Sequence, residues 1–306
     1  VTPKGVVALT GATGFVGQAV LDEADIQGVP MRALTRRDRP PRPGVEWVKG
    51  DLNDRAALAA LVEDVDAVIH VAGVVNTPDP AVFEAGNVTG TFNLVEAALA
   101  AKAPRFVHVS SLAAREPHLS TYGASKRRGE KLVAASGLDW TMVRPPGVYG
   151  PRDTEIFEMF RFAKFGVVPI PDTGRSSMIH VEDLARLLFA LVPGGEDVRS
   201  QTFEPDDGAE DGWLHRDLAR AIGEAVGRRV FAPQFGKGTL MGMAKLDRLL
   251  RRDKAKLTTD RVNYMTHPDW VTAKSKAPPA KRWAPLVDTR EGLRQTAEWY
   301  KREGWL

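Results

Sequence analysis

The sequence predicts an α/β protein, a doubly wound parallel sheet followed by a small C-terminal lobe. Three observations carry that expectation. Short β-branched runs alternate with helical patterns through the first half of the chain. The turns between them are short and rich in Gly, Pro and Asp. After Pro151 the alternation breaks, and four of the seven Trp residues lie beyond position 226. Parallel strands joined by helices need right-handed crossovers, which leaves the doubly wound sheet as the simplest topology.

The elements follow in order. Val6 to Leu9 is an apolar run before a glycine turn and reads as a strand; Phe15 to Ala24 has helical spacing. Met31 to Thr35 and Val45 to Val48 are the next strands. Arg55 to Val62 is a helix and Ala67 to Val71 a buried strand. Phe83 to Ala101 reads as one long helix. Arg105 to Ser110 is a strand, Tyr122 to Ala135 a helix and Trp140 to Arg144 a strand. Later helices are expected at Glu155 to Phe165, Glu182 to Leu191, Leu214 to Val226 and Gly292 to Glu303. Extended segments are expected at Ser176 to Ile179 and Gln201 to Phe203. Lys274 to Trp283 contains Pro278 and Pro279 and reads as an irregular surface segment.

Composition excludes several chemistries. The 306 residues include no cysteine, so there is no disulfide framework, iron–sulfur cluster, thiolate zinc site or thiol nucleophile. At 43% hydrophobic and 26% charged residues, the chain is an ordinary globular one and not a disordered one. A net charge of +3 gives no expectation of a nucleic-acid partner. No apolar run is long enough to span a membrane and no leader pattern opens the chain, so no membrane partner and a cytoplasmic location are expected. One isolated histidine, His180, makes no metal site, and no metal is expected.

The strongest motif runs Thr10-Gly11-Ala12-Thr13-Gly14-Phe15-Val16-Gly17, where a strand ends and a helix begins. Gly11 permits the tight turn, Gly14 lets backbone approach a pyrophosphate, and Gly17 allows close helix–strand packing. The helix N-terminus then offers free N–H groups to the phosphates. The three-and-three glycine spacing resembles the fingerprint of the short-chain dehydrogenase/reductase superfamily, in its extended or atypical branch of epimerases, dehydratases and related reductases. That resemblance implies a Rossmann-like fold. Residues 1–150 would form the dinucleotide-binding core. Residues 151–306 would return partly to that core and form the substrate-binding lobe.

The second strand ends Thr35-Arg36-Arg37, with Thr35 where the family's NAD enzymes carry Asp. Two guanidinium groups suit a 2′-phosphate, so NADP is the expected cofactor; Asp38 keeps NAD as the alternative. Asp51 and Leu52 resemble the family's adenine-contacting pair. Val71-Ala72-Gly73, after His70, resemble its cofactor-lining turn. Pro145, Gly147 and Val148, within Arg144-Pro145-Pro146-Gly147-Val148-Tyr149-Gly150-Pro151, resemble the segment that passes the nicotinamide ring.

Tyr122 and Lys126 stand one helical turn apart. A nearby ammonium lowers a tyrosine's pKa, so Tyr122 would exchange a proton with an alcohol oxygen while hydride moves to or from nicotinamide. By the resemblance, Lys126 also binds the nicotinamide ribose. Ser111 is the candidate to hydrogen-bond the substrate oxygen, with Ser110 as fallback, and Asn87 resembles the asparagine that supports a proton relay. The interval from Leu112 to Thr121 is shorter than is usual in the extended branch, which narrows the site or displaces Ser111. Asp183, in a segment like the branch's Ile-His-Val-x-Asp, is expected to position a helix start. Tyr264, Met265 and Trp270 are read first as lobe core and second as pocket lining.

The implied activity is hydride exchange with a small-molecule carbonyl or alcohol by a monomer or homodimer. The alternatives are a sugar-nucleotide epimerase or dehydratase with tightly held NAD, and a cofactor-bound sensor or assembly subunit. Intact Tyr122 and Lys126 argue against the sensor, and Thr35 in place of Asp argues against the epimerase.

Overall fold

A computed structural model describes residues 5–172, 174–252, 255 and 257–306. The strands in chain order are β1 (Val7–Thr10), β2 (Met31–Thr35), β3 (Val45–Lys49), β4 (Ala67–His70), β5 (Phe106–Val109), β6 (Trp140–Val143) and β7 (Gly147–Tyr149). Then come β8 (Ile170–Pro171), β9 (Arg175–Ser176), β10 (Met178–His180), β11 (Gln201–Phe203), β12 (Trp213–Leu214), β13 (Gln234–Phe235) and β14 (Asp269–Trp270). The helices are α1 (Phe15–Gln27), α2 (Arg55–Val62), α3 (Pro80–Glu84), α4 (Gly90–Ala100), α5 (Thr121–Ala135) and α6 (Phe157–Lys164). They continue with α7 (Val181–Leu191), α8 (His215–Ala225), α9 (Lys237–Arg251), α10 (Thr259–Met265) and α11 (Thr289–Arg302).

Seven strands form one parallel sheet in the order β11-β6-β5-β4-β1-β2-β3. Leu9 of β1 faces Ala33 on one side and Ile69 on the other. Strand order reverses between β1 and β4, and a crevice at such a switch point is where this architecture receives ligands. The four residues of β1, β4 and β5 are all buried, as both faces of the sheet are covered. One face carries α1 and α7, through Val20, Leu21, Leu184, Leu187 and Leu188. The other carries α2, α4 and α5, through Leu58, Leu61, Leu94, Val95 and Val133.

Local chemistry sets the helix limits. Asp54 caps α2 by accepting from the Ala57 N–H, and α1 ends at Gly28, left-handed at φ 67°. The lobe has its own core, where Phe160, Leu218, Ile222, Leu293 and Tyr300 bring α6, α8 and α11 together.

The sequence reading needs correction in four places. The long helix expected from Phe83 is interrupted: α3 starts earlier at Pro80, capped by Asp79, and residues 85–89 form a π-turn before α4. Helices α9 and α10 were not anticipated. The segment from Lys274 is irregular apart from a 3₁₀ turn at 274–276, but Trp283 is buried in the main core and donates to the Asp183 carbonyl. Asp183 does not start α7. His180 occupies that position, and the Asp183 carboxylate accepts from the Leu286 and Val287 N–H groups. No helix among the described residues is long and apolar enough to cross a membrane.

Candidate active site

The glycine loop sits at the switch point, and its three glycines differ in what surrounds them. Gly11 has φ 75°, and a Cβ there would lie 2.7 Å from the Ala72 nitrogen. At Gly17 a Cβ would lie 2.0 Å from the Gly11 carbonyl oxygen, so α1 can pack here only on glycine. Around Gly14 the one neighbour within reach is that same oxygen at 3.3 Å. Gly14 and Thr13 are exposed, and Gly14 starts α1 with no side-chain cap and no acidic residue in the first turn. The loop thus presents an open, uncapped helix N-terminus, the build that accepts a pyrophosphate. Phe15 and Val16 are half-buried against the core behind it.

Thr10 and Gly147 each have a role within the fold. Thr10 is fully buried, and its hydroxyl is taken by His70 Nδ1 at 2.7 Å and by the Ala72 N–H at 3.2 Å. It ties β1 to the turn after β4. Thr91 holds the other ring nitrogen of His70, and burial drives that imidazole down to about 3, so it stays neutral. At Gly147 a Cβ would meet Met178 Sδ at 2.8 Å, so the glycine lets β7 and β10 pair. Val148 is half-buried beside it, and the Pro145 carbonyl accepts from the Leu112 N–H.

At the end of β2 the Thr35 hydroxyl closes a turn onto Arg37, and Arg36 and Arg37 are exposed. Neither makes an ion pair among the described residues, whereas Asp38 pairs with Lys49 at 2.8 Å. Asp51 is exposed and accepts from the Asn53 N–H; Leu52 packs on Gly90, and its carbonyl accepts from Asn93.

Tyr122, Ser111, Lys126 and Asn87 meet beside the turn at Gly73. Asn87 lies in the π-turn, accepts from the Val74 N–H at 2.7 Å, and donates to the Val74 carbonyl and Ser125 Oγ, both at 2.9 Å. A Cβ on Gly73 would stand 2.9 Å from Asn87 Oδ1 and 3.5 Å from Lys126 Nζ. Gly129 lets α5 come against the π-turn, since a Cβ there would lie 2.7 Å from the Asn87 carbonyl. The Ser111 hydroxyl accepts from the Ala113 N–H and hydrogen-bonds the Tyr122 side chain. In the short interval after Ser111, residues 112–115 form a compact 3₁₀ turn that the Ser111 side chain caps. Ser110 is not available as a substitute, because it donates to Glu130 at 2.7 Å.

The expected coupling of Lys126 to Tyr122 is not what holds either group. Lys126 Nζ donates to the Val109 carbonyl at 2.9 Å. Burial pushes this ammonium down to about 8, with the Glu130 charge opposing. Burial also pushes the Tyr122 phenol above its ordinary value, which the Ser111 hydrogen bond opposes and Tyr264 and Glu155 reinforce. Tyr122 is consequently a protonated, proton-donating group at neutral pH.

Sequence reasoning missed the roof over these residues. Asp260, on α10, accepts from the backbone N–H of Thr121 at 2.6 Å and of Tyr122 at 3.2 Å. It completes the cap of α5 that Ser120 begins on Gly123. The same helix lays Tyr264 on Tyr122, ring centroids 5.9 Å apart, with Phe83 at 5.9 Å on another side. Val74, Ala113 and Trp270 complete an apolar cluster, in which Tyr264 and Trp270 pack as core against Tyr122. Met265 is not part of it. Arg115 fixes the Trp270 strand by donating to the Val271 and Asp269 carbonyls. Beneath the site, Arg144 makes a two-point pair with Glu130 and also reaches Glu204 at 3.3 Å. No motif links Asp260 to a helix 138 residues earlier, so only the folded chain reveals it.

Comparison with known proteins follows this geometry. The model of the NAD dependent epimerase/dehydratase family matches residues 7–202. A ceramide reductase from Caulobacter vibrioides is 36% identical over 316 residues, covering 99% of this chain and 96% of the relative. A 3 beta-hydroxysteroid dehydrogenase/Delta 5-->4-isomerase from Mycobacterium tuberculosis is 29% identical, covering 74% of this chain and 71% of the relative. The crystal structure of MoeE5 with UDP-glucose and NAD superposes with a TM-score of 0.75 at 22% identity, over 97% of this chain and 99% of the other, which shows a shared fold.

Proposed function

The chain belongs to the NAD-dependent epimerase/dehydratase family and is an NAD(P)-dependent oxidoreductase; from that premise we propose that it uses NADPH to reduce the carbonyl group of a lipophilic small molecule. The observation that carries this reading is the wall around Tyr122, built of Phe83, Ala113, Val74, Tyr264 and Trp270. A sugar nucleotide needs polar partners for many hydroxyls, and such a wall supplies few. The likeness to a ceramide reductase supports a lipid ketone as substrate.

The cofactor, when bound, supplies the hydride. The open N-terminus at Thr13, Gly14, Phe15 and Val16 receives its pyrophosphate, and Asp51 and Leu52 flank the adenine. Arg36 and Arg37, exposed and unpaired among the described residues, take the 2′-phosphate, while Asp38 is engaged by Lys49. Val71, Ala72 and Gly73, with Pro145 and Val148, line the path toward Tyr122. Lys126 holds the nicotinamide ribose, and Asn87 keeps the Gly73 turn and α5 in register.

Tyr122 donates its proton to the substrate oxygen as that oxygen gains negative charge, and Ser111 hydrogen-bonds the same oxygen. The phenol is protonated at neutral pH and so enters the reaction as the acid. The test is NADPH oxidation with a panel of lipid ketones and UDP-sugars. Lipid ketones should turn over, NADH should serve worse than NADPH, and Tyr122→Phe should lower turnover by about 10²–10⁴ with cofactor affinity intact. Interconversion of UDP-sugars without net cofactor oxidation would replace this reading with the epimerase, and an unimpaired Tyr122→Phe would move the chemistry elsewhere.

A further inference from the structure

We propose that α9 is an interfacial helix that seats the protein on an anionic lipid surface. The helix is apolar on two sides, and the fold uses one. Leu240, Ala244 and Met241 face inward onto Phe235, Leu257 and Val262 of α10. Met243, Leu246, Leu249 and Leu250 face outward with 42%, 56%, 76% and 74% of their surfaces exposed. Their spacing of three, three and one puts them on a single stripe. Among the described residues none covers that stripe, although side chains of this size are usually buried.

Charge selects the occupant. Lys237, Lys245, Arg248, Arg251 and Arg252 are all exposed on α9 and its last turn, where Asp247 is the one acid. Asp247 is engaged with Arg251. An apolar stripe with a cationic rim is the pattern of a helix lying in the headgroup region of an anionic bilayer. A second copy of this chain fits poorly, because apposing two α9 helices would set their cations against each other. No described helix crosses a bilayer. This contact is of another kind, one that the sequence reading did not anticipate. Because α10 packs on the inner face of α9 and lays Tyr264 on Tyr122, the seated protein would hold the Tyr122 cluster one helix away from α9. The proposal rests on the surface of α9 and not on the substrate reading.

The test uses the full chain and sedimentation with vesicles, without substrate. The protein should bind vesicles of phosphatidylcholine with phosphatidylglycerol, bind phosphatidylcholine alone more weakly, and release from the anionic vesicles at high salt. The triple variant L246S/L249S/L250S should bind about tenfold or more weakly. Its thermal transition should be unchanged, because the three side chains are exposed in the folded chain. The variant K245Q/R248Q should lose about fivefold per cation and show a flatter salt dependence. No binding to the anionic vesicles, or binding that survives the triple substitution, overturns the proposal. So does light scattering that gives a dimer for the native chain and a monomer for the triple variant, which would assign the stripe to a second copy.

Discussion

Two glycines three positions apart make opposite predictions. Gly14 is exposed and a Cβ built on it has one neighbour, the Gly11 carbonyl oxygen at 3.3 Å, so Gly14→Val should leave the fold in place with at most a small drop in its thermal transition while calorimetry detects no NADPH binding. Gly17 meets the Gly11 carbonyl at 2.0 Å from a built Cβ, so even Gly17→Ala must push backbone aside. That overpacking should cost about 1–3 kcal/mol or more in denaturant unfolding. Lys126 gives a pH prediction. Its ammonium is pushed from 10.5 down to about 8 by burial, so the folded protein releases the proton before the unfolded chain does. The burial penalty is full below about pH 8 and relieved as pH rises toward 10.5. Lys126 therefore contributes a gain in stability across that window, and Lys126→Met should abolish the gain in unfolding free energies compared across it. The glycines, Tyr122, Lys126 and Ser111 were legible because each is a residue type demanded by local backbone or chemistry at fixed spacing. The sequence did not show that the Thr10 hydroxyl has a buried partner in His70, a strand away.

At the scale of elements, the helix that carries Tyr122 depends on a contact from the far end of the chain. Ser120 caps one N–H of α5, and the Asp260 carboxylate takes those of Thr121 and Tyr122. Asp260→Ala should lower stability by about 0.5–2 kcal/mol and reduce turnover, as the tyrosine loses the anchor at its own backbone. Asp260→Asn keeps an acceptor and should recover much of both, while NADPH affinity stays unchanged in either variant. Steady-state kinetics beside equilibrium unfolding checks all three statements. The strands and α2 were legible from periodicity alone. The π-turn was not, because an inserted residue leaves helical spacing on both sides almost intact, and only the burial of Asn87 reveals it. Helix α9 was hidden for a different reason. Two apolar stripes separated by charges do not produce the single-face pattern that marks a core helix.

At the scale of the whole molecule, the chain does not divide where its motifs stop. Residues 1–150 hold every glycine-loop and Tyr/Lys feature, yet one face of their sheet is closed by α7. Leu184, Leu187, Leu188 and Leu191 are fully buried there in one core with Leu9 and Ile69. Strand β11 adds the seventh strand beyond β6, and Trp283 fills the same core from a still later segment anchored on Asp183. The sequence reading expected an extended segment at Gln201 to Phe203 and a partial return to the core, but it took the segment at Trp283 for surface, because that segment has no regular structure of its own. A fragment ending at residue 150 should therefore expose an apolar sheet face and an unpaired β6 edge. Such a surface promotes association, so the fragment should aggregate or lack a cooperative thermal transition. Calorimetry and light scattering on fragment 1–150 decide the matter. A monomer with a sharp transition that still binds NADPH would mean that the nucleotide-binding half folds alone and that α7 only decorates it.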